Sequence, residues 1–427
     1  MGTPDTDGAA KLAASLFDRL FEATRDDPGV TRIAYGEGEQ TAFALVAEAA
    51  ATSRVERTFD AAGNQFLTLP GLDRSKRIVI GSHLDSVPHG GNFDGAAGVI
   101  MGIAAQKALA DAGIQPAFDL TVACLRAEES CWFPHSYIGS KTALGVLENG
   151  IADQVRRSDT GQTLAEHIDA LGFDADGVRR GDAWLDPATI AAYIEPHIEQ
   201  APALIDADLP LAAVSGIRGS FRYREMVCHG EYSHSGAMPR HLRHDAAVAS
   251  ARLVVAMQAL WERLEAEGED LTVTFGQLGT DPANHSFSKV AGEVRLCLDV
   301  RSQSKETLGR VENELKAFVD TIGAETGTRF DLGPRSGSEP AMMAPHLVAM
   351  VNEACRAKNL PVHTMASGAG HDAATFANTG VPSVMIFIRN ANGSHNPDEA
   401  MALEDFNAAL AALTQMLMAR AAAWTLK

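Results

Sequence analysis

The sequence predicts a discontinuous α/β domain with a mixed, largely parallel sheet, and a smaller inserted α+β domain with an antiparallel sheet. Short apolar segments alternate with helical segments over 1–213 and again over 334–427, a pattern typical of parallel α/β sheets. Between them, residues 293–301 alternate apolar and polar side chains, which indicates an antiparallel sheet with one solvated face. The insertion is therefore predicted to cover 214–333.

The elements of the first domain follow from local patterns. A helix is predicted over 9–25, and residues 77–80 (RIVI) form a short strand that runs into the polar cluster GSHLD. Residues 96–112 predict a helix, and the next strand, 120–125, runs into RAEES. Because ligands of such sheets gather beyond the carboxyl ends of the strands, these polar clusters are candidates for a functional site.

The later elements are predicted in the same way. In the insertion, strands are expected at 221–228, 271–278 and 293–301, and helices near 245–267 and 305–326. After the loop GPRSGSEP, a helix is predicted over 345–358, a strand over 381–388 and a helix from residue 404 to the end.

Composition excludes several classes of protein. The chain has 427 residues, of which 46% are hydrophobic and 21% charged, enough for a sizeable core. The net charge of −19 argues against nucleic acid or an anionic membrane as partner. The start, MGTPDTDGAAKL, lacks the features of a secretory signal. The five scattered cysteines do not form a CxxC pair, which favours reduced thiols and a cytoplasmic location.

Five clusters place hard metal ligands just after predicted strands. Imidazole and carboxylate ligands without cysteine suit Zn, Mn, Co or Ni. Two such metals share a carboxylate and hold a water as nucleophile, and a spare carboxylate takes its proton. The clusters are GSHLDSV with His83 and Asp85, GGNFDGAAGV with Asp94, RAEES with Glu128 and Glu129, EPHIEQA with His197, and GSHNPDE with His395.

Each cluster also has a simpler interpretation. A single His-x-Asp or a pair of glutamates is more often a solvated surface group than a ligand. Cys131 is a weak candidate for a nucleophile, because no matching histidine arrangement is evident. The glycines of GGNFDG lack the GxGxxG spacing of a phosphate site, and a tight turn that presents Asp94 is the better interpretation.

The ordered series GSHLDSV, GGNFDG, AEES, HIEQ, HSGAMP, SGAGHDA and SHNP resembles the M20 metallopeptidase clan, specifically its hydantoinase/carbamoylase branch. That branch includes N-carbamoyl-L-amino acid hydrolases, β-ureidopropionases and allantoate amidohydrolases. The resemblance covers nearly the whole chain. It implies a metal-dependent amidohydrolase that cleaves a non-peptide C–N bond of a small carboxylate-bearing substrate through a metal-bridging hydroxide.

The resemblance also implies the metal ligands. Asp94 should bridge two divalent metal ions, His83 and His197 should complete one site, and Glu129 and His395 the other.

Further roles are implied for residues near the metals and in the insertion. Glu128 is the expected general base, and Asp85 should orient His83. His234 of HSGAMP matches the family histidine that stabilises the oxyanion, commonly in the neighbouring subunit, so a homodimer through the inserted domain is implied. Arg301 matches the arginine that holds a substrate carboxylate.

Other matches concern the substrate pocket and local structure. Gln200, Gly370 and His371 match further pocket positions. Asp372 and Arg243 match positions to which no role beyond local structure is assigned.

Two departures from the family pattern affect the substrate prediction. Trp132, in ESCWF where the family has EGSRF, places a bulky ring close to the expected metals. Ser288 replaces the asparagine that contacts the amide or ureido group, and it has fewer hydrogen-bonding atoms. An M20-type N-acyl amino acid deacylase, a dipeptidase or a hydrolytic deaminase of a planar or aromatic amine therefore remain alternatives. A non-catalytic binding protein is less compatible, because every ligand position and the base are filled.

Overall fold

The computed structural model describes residues 4–424, which form two compact units. The first unit contains residues 4–216 and 342–424, and the second contains 217–341. The second unit continues to residue 341 because the GPRSGSEP segment is not simply a loop: residues Arg335–Ser338 form a strand of its sheet.

The strands, in chain order, are β1 (Glu56–Phe59), β2 (Gln65–Leu69), β3 (Asp73–His83), β4 (Phe118–Leu125), β5 (Ile190–Ile198), β6 (Leu211–Ile217), β7 (Gly219–His229), β8 (Ser233–His234), β9 (Thr272–Thr280), β10 (Lys289–Val290), β11 (Glu293–Ser302), β12 (Arg329–Asp331), β13 (Arg335–Ser338), β14 (Ala341–Met342), β15 (Thr364–Ser367) and β16 (Ser383–Ile388).

The α-helices are α1 (Asp7–Thr24), α2 (Glu37–Ala51), α3 (Ala96–Asp111), α4 (Ile138–Ala143), α5 (Ile151–Gln154), α6 (Leu164–Ala170), α7 (Ala175–Arg180), α8 (Ala203–Asp206), α9 (Ala246–Ala266), α10 (Lys305–Thr326), α11 (Pro345–Ala357), α12 (Asp372–Asn378), α13 (Leu403–Leu417) and α14 (Ala421–Trp424). Short 3₁₀ turns cover Pro187–Thr189 and Arg240–Leu242. Within residues 4–424, none of the helices has an apolar run sufficient to span a lipid bilayer.

The sheet of the first unit is mixed, as predicted. Its strand order is β1-β2-β4-β3-β5-β16-β6-β14, and β15 also pairs with β6. The pairs β4–β3, β3–β5 and β5–β16 are parallel, whereas β1–β2, β2–β4 and β16–β6 are antiparallel. The parallel strands therefore lie together at the centre, and their carboxyl ends meet at one edge of the sheet.

Burial explains why the central strands form. The whole of β4 and β5 and the second half of β3 are buried, which requires the apolar runs seen in the sequence. Helix α3 is buried over nearly its whole length and belongs to the same core. The loops that follow the central strands are thus anchored on rigid elements.

The second unit has an antiparallel sheet of its own, with strand order β12-β7-β11-β9 and with β13 also paired to β7. Buried and less buried residues alternate along β11, as the period of two predicts. The apolar sides of α9 and α10 belong to the same core as this sheet. A separate pair of short strands, β8 and β10, completes the unit.

The structure differs from the sequence prediction in several elements. Helix α2 and strands β1 and β2 were not predicted, and neither were the short helices between β4 and β5. The last predicted helix ends at residue 417 and resumes only as α14. Residues 425–427 of that prediction, and residues 1–3 of the first predicted domain, lie outside the described residues.

A buried ion pair supports the loop that follows β4. The guanidinium of Arg126 contacts the carboxylate of Glu39, and both side chains are almost completely buried. Arg126 Nε also donates to the carbonyl oxygen of Gly63 at 2.6 Å, and the guanidinium lies 4.1 Å from the ring centre of Phe43. Burial raises the pKa of Glu39 to about 7 even beside this cation.

We expect Arg126→Met to lower the free energy of unfolding by about 3–5 kcal/mol, because it leaves Glu39 buried without its partner. The matched control is Arg19→Met, which removes the exposed pair with Glu48 and should change the free energy by about 1 kcal/mol or less. Urea unfolding measures both values. Equal losses in the two variants would contradict the role of the buried pair.

Candidate metal centre and active site

The predicted ligands of the first unit lie at the carboxyl ends of the central parallel strands. His83 is the last residue of β3, and His197 is the penultimate residue of β5. Glu128 and Glu129 follow β4, and His395 lies in the loop after β16. Parallel strands bring these positions to one edge of the sheet although they are distant in sequence.

Asp94 lies at the centre of two groups of candidate ligands. Its Oδ1 atom is 3.5 Å from His83 Nε2 and 3.2 Å from His197 Nε2. Its Oδ2 atom is 3.4 Å from His395 Nε2, which is itself 3.2 Å from Glu129 Oε1. In each group the ligand atoms lie within 4.8 Å of one another, and Asp94 belongs to both groups.

The two groups differ in their exposure. The side chains of His83, Asp94 and His197 are almost entirely buried, whereas His395 is 51% exposed. One group is therefore enclosed, and the other opens toward solvent.

Backbone carbonyls fix the orientation of the two buried imidazoles. His83 Nδ1 lies 3.0 Å from the carbonyl oxygen of Asp85, and His197 Nδ1 lies 2.9 Å from that of Ile198. A carbonyl oxygen only accepts, so each Nδ1 carries the proton and donates it. Each Nε2 faces Asp94 and is the ring atom that would bind a metal.

The donor set fits a divalent cation. Asp94 Oδ1 and His197 Nε2 are buried and have no hydrogen-bond partner among the described residues. A carboxylate oxygen and an imidazole nitrogen that face each other at 3.2 Å share a positive charge, either a proton or a bound cation, because a buried acceptor without a partner is costly. A cation bound by imidazole and carboxylate satisfies both atoms.

The turn that carries Asp94 depends on a glycine. Gly95 has a φ of +64°, and a Cβ atom there would lie 2.5 Å from Nε2 of His83. A side chain at this position would be strained and would also displace the imidazole. The glycine after Asp94 therefore allows His83 and Asp94 to approach each other.

Asp85 holds the two glutamates that follow β4. Its Oδ1 atom accepts from the backbone N–H of Glu128 at 3.2 Å, and its Oδ2 atom accepts from the N–H of Glu129 at 3.1 Å. Its carbonyl contacts His83, and its carboxylate also lies 3.4 Å from His83 Nδ1. The contact predicted between Asp85 and His83 is thus present. The contacts of Asp85 with the backbone of the two glutamates were not predicted.

Glu128 lies beside the enclosed group without belonging to it. Its Oε2 atom is 3.9 Å from His83 Nε2, and it is absent from both groups of ligand atoms. Burial, together with the neighbouring carboxylates, raises the pKa of Glu128 well above its usual value. A desolvated carboxylate of this kind is a stronger base than one in water.

The Oδ2 atom of Asp94 is held by further side chains. Gln200 Nε2 donates to it at 2.8 Å, and the hydroxyl of Ser394 lies 2.5 Å from it. The predicted pocket residue Gln200 therefore contacts the shared carboxylate. Ser394 and Glu399 were not predicted as site residues, although both belong to the GSHNPDE cluster.

The SGAGHDA segment lies next to His197. The ring of His371 is 4.4 Å from that of His197, and its Nε2 atom lies 3.1 Å from Ser367 Oγ. Burial lowers the pKa of His371 well below its usual value, so the ring is neutral. Gly370 packs against the hydroxyl of Tyr137.

Asp372 has a structural contact. Its Oδ1 atom accepts from Ser140 Oγ at 2.5 Å. This bond connects α12 to α4, in keeping with the local role expected for Asp372.

Trp132 is part of the core of the first unit. Its side chain is 7% exposed, it packs in a cluster with Tyr35 and Phe133, and its indole N–H donates to the carbonyl oxygen of Ser86 at 2.7 Å. These contacts give the ring a packing role, and contact with substrate stays a prediction. Cys131, next to it, is exposed as a residue. Partial burial of its sulfur and the nearby carboxylates of Glu129 and Asp85 raise the pKa of the thiol to about 12, which disfavours a thiolate nucleophile.

The second unit contains His234 at the end of β8 and Ser288 directly before β10, the strand that pairs with β8. His234 pairs with Lys289 between β8 and β10, and the N–H of Ser235 donates to the carbonyl of Ser288 at 2.9 Å. His234 Nδ1 accepts from the N–H groups of Gly236 and Ala237, each at 3.1 Å. The exposed Nε2 of the neutral ring therefore carries the proton and is able to donate it.

Two arginines of the second unit have defined partners. Arg243 donates to the carbonyl oxygens of Ser235 and Met238 and so holds the loop after His234. Arg301, on β11, pairs with Asp299 at 2.8 Å, and Arg222 of β7 pairs with the same aspartate at 3.3 Å. The substrate-binding roles of Arg301, Ser288 and His234 stay predictions.

The chain is similar to known proteins over most of its length. The sequence profile of Peptidase family M20/M25/M40 matches residues 79–419. The chain is 31% identical to an N-carbamoyl-L-amino acid amidohydrolase of Geobacillus stearothermophilus over 91% of this chain and 94% of the relative. It is also 31% identical to an allantoate amidohydrolase of Escherichia coli (strain K12), over 91% and 92%. A crystal structure of an amidase of the hydantoinase/carbamoylase family from Burkholderia multivorans superposes with a TM-score of 0.85 at 27% identity, over 99% of both chains.

Proposed function

The chain belongs to peptidase family M20/M25/M40, and on that premise we propose that it is a metal-dependent amidohydrolase of the hydantoinase/carbamoylase type. It hydrolyses a non-peptide C–N bond, carbamoyl, ureido or amide, of a small substrate that bears a carboxylate. The observation that carries this proposal is the buried Asp94 shared by two groups of ligand atoms, with Glu128 beside them. Relatives over nine-tenths of the chain are amidohydrolases that act on such bonds.

Two divalent cations of the Zn, Mn, Co or Ni class are the proposed cofactors. His83, Asp94 and His197 would hold one, and Asp94, Glu129 and His395 the other. When bound, such cations polarise the scissile carbonyl and lower the pKa of the attacking water.

Glu128 transfers the proton in the proposed reaction. Its carboxylate accepts a proton from the water as the water oxygen forms a bond with the carbonyl carbon. As the C–N bond breaks, Glu128 returns that proton to the leaving nitrogen. The products are an acid and an amine or ammonia, and an N-carbamoyl amino acid yields the free amino acid, CO₂ and ammonia.

Residues of the second unit are proposed to bind the substrate. The Nε2 hydrogen of His234 donates to the developing oxyanion, and the guanidinium of Arg301 binds the substrate carboxylate. We also propose a homodimer in which each subunit contributes His234 to the site of the other. Mixing Glu128→Gln and His234→Ala subunits should then restore activity, because one site of each mixed dimer has both residues; a mixture without activity would exclude the shared site.

A substrate panel tests the proposed activity. The purified protein, supplied with Zn, Mn, Co or Ni, is expected to release ammonia or an amine from N-carbamoyl amino acids or ureido acids more rapidly than from the other substrates. The other members are N-acyl amino acids, dipeptides and aromatic amines, which represent the alternatives that Trp132 and Ser288 keep open. Preference for one of these would replace the proposed substrate class, and no turnover of any member would contradict the proposal.

The same panel tests Arg301. Arg301→Ala should raise KM for carboxylate-bearing substrates about tenfold or more, since a charge-assisted contact contributes about 1.5–3 kcal/mol. Amide analogues without the carboxylate should be hydrolysed as before. Arg222→Ala is the matched control, because it removes the other arginine that pairs with Asp299. An unchanged KM in Arg301→Ala would remove its proposed role.

A further inference from the structure

Glu399 is a buried carboxylate that the reaction described above does not use. It is 7% exposed. Its Oε1 atom accepts from the backbone N–H of Phe93 at 2.9 Å and from that of Asp94 at 3.1 Å. It therefore connects the turn that carries Asp94 to the loop that carries His395, although the two segments are about 300 residues apart in sequence.

Ser394 extends this connection to the carboxylate of Asp94. The Ser394 hydroxyl oxygen lies 2.6 Å from Glu399 Oε2 and 2.5 Å from Asp94 Oδ2. Together with Gln200 Nε2, which donates to the same Oδ2 atom, these contacts fix the orientation of the carboxylate. Oδ2 faces His395, and the unpartnered Oδ1 faces His197.

The chain has space for Glu399 only because residue 91 is glycine. A Cβ atom on Gly91 would lie 2.2 Å from Cδ and Oε1 of Glu399, a distance at which one of the groups must move. Gly91 thus has a role different from that of Gly95 at the turn: it leaves room for the carboxylate that holds this turn.

A buried cation lies near the same carboxylate. Arg32 is fully buried, its Nε atom donates to the carbonyl of Leu84 at 2.7 Å, and its Nη1 atom donates to Asn92 Oδ1 at 3.2 Å. Burial lowers the pKa of Arg32 to about 10, and among the acidic groups that raise it Glu399 has the largest effect. Arg32 therefore offsets part of the negative charge that Glu399 brings close to Asp94.

We infer that Glu399 is a positioning residue for Asp94: by holding the backbone of residues 93–94 and the hydroxyl of Ser394, it sets how Asp94 is shared between the two groups of ligand atoms. Glu399 does not contact substrate in this role. The inference rests on the proposed function in one respect, namely that Asp94 binds two cations. In this role Glu399 sets the affinity for the second cation, at the group formed by Asp94, Glu129 and His395.

The test compares cation binding in three variants. Protein stripped with a chelator is titrated with Co²⁺, and the stoichiometry and dissociation constants are measured by calorimetry and by the visible absorption of bound cobalt. Glu399→Ala removes all three contacts and should weaken the second cation about 10- to 100-fold, with the first cation retained. Glu399→Gln keeps an oxygen for both N–H groups and should restore most of the affinity.

Gly91→Ala tests the same contact without changing a charged group. Its methyl group displaces the Glu399 carboxylate, so this variant should reproduce the weaker second cation of Glu399→Ala. The matched control is Asp398→Asn, which changes the exposed acidic neighbour of Glu399 and should bind both cations as the unaltered chain does. Below saturation with cobalt, kcat of Gly91→Ala should be reduced while KM is unchanged, and saturating cobalt should restore kcat.

Two results would overturn the inference. The first is native affinity for the second cation in both Gly91→Ala and Glu399→Ala. The second is an equal loss of affinity in Glu399→Gln and Glu399→Ala, which would indicate a role for the charge alone. Should Glu399→Ala fail to fold, Gly91→Ala and Glu399→Gln decide the question. An unaltered chain that hydrolyses its substrate with a single cation would instead contradict the two-cation proposal. The two failures are therefore distinguishable.

Discussion

Replacing Glu128 by glutamine is expected to lower kcat by about 10²- to 10⁴-fold, the contribution that a positioned general base makes. Glutamine has nearly the same shape as glutamate, so the loop after β4 and its bonds to Asp85 should remain. It cannot accept a proton from water at neutral pH. The measurement is kcat on the best substrate of the panel, and undiminished turnover would remove Glu128 from the mechanism.

The adjacent glutamate provides the control for this prediction. Glu128 is absent from both groups of ligand atoms, whereas Glu129 Oε1 lies 3.2 Å from His395 Nε2 and belongs to one of them. Glu128→Gln should therefore retain two cations per chain, whereas Glu129→Gln should lose affinity for one. If both variants lost a cation, the division between base and ligand would be wrong.

The sequence predicted the centre of the fold well because its signals are local. The buried strands at the centre of the first sheet are apolar runs that end in polar clusters, and the alternation over 293–301 identified the solvated sheet of the second unit. Strand β1 escaped prediction because all four of its residues are exposed, and β2 because its residues are buried without alternation. The five residues QFLTL include two polar side chains, and so short a segment does not by itself distinguish a strand from a helix.

The candidate site shows a similar division. Local motifs identified the side chains that converge on Asp94, because each of them lies at or after the carboxyl end of a strand. They did not reveal which backbone groups those side chains bind. Asp85 accepts from N–H groups more than 40 residues away, and Glu399 from N–H groups about 300 residues away. Such contacts depend on the order of strands in the sheet, and no local period encodes that order.

The structure was also needed to interpret Trp132 and Ser288, the two departures from the family pattern. Trp132 lies only three residues after Glu129, which suggests a ring beside the metals, and its indole N–H donates to the carbonyl of Ser86 within the core. This contact shows how the ring packs in the first unit, and its contact with substrate stays a prediction. For Ser288, the contact with Ser235 involves only the backbone carbonyl, so the substrate panel has to decide what its hydroxyl recognises.

Asp94→Asn should abolish binding of the first cation, weaken the second and reduce turnover below detection, while the protein stays folded. The asparagine oxygen is able to take the place of Oδ2 and accept from Gln200 and Ser394. Its NH₂ group then faces His83 and His197, whose Nε2 atoms are acceptors. The amide hydrogens satisfy these lone pairs, so the variant gains hydrogen bonds where the unaltered chain needs a cation.

Thermal unfolding measures how much Asp94→Asn reduces the stabilisation of the folded chain by bound cation. A cation that binds only the folded state stabilises it by RT ln(1 + [L]/Kd), about 2.7 kcal/mol at a concentration of 100 Kd. Added cation should therefore raise the Tm of the chelator-treated unaltered chain much more than that of Asp94→Asn, which keeps only a weakened second site. An equal rise in both proteins would show that Asp94 is not the residue on which cation binding depends.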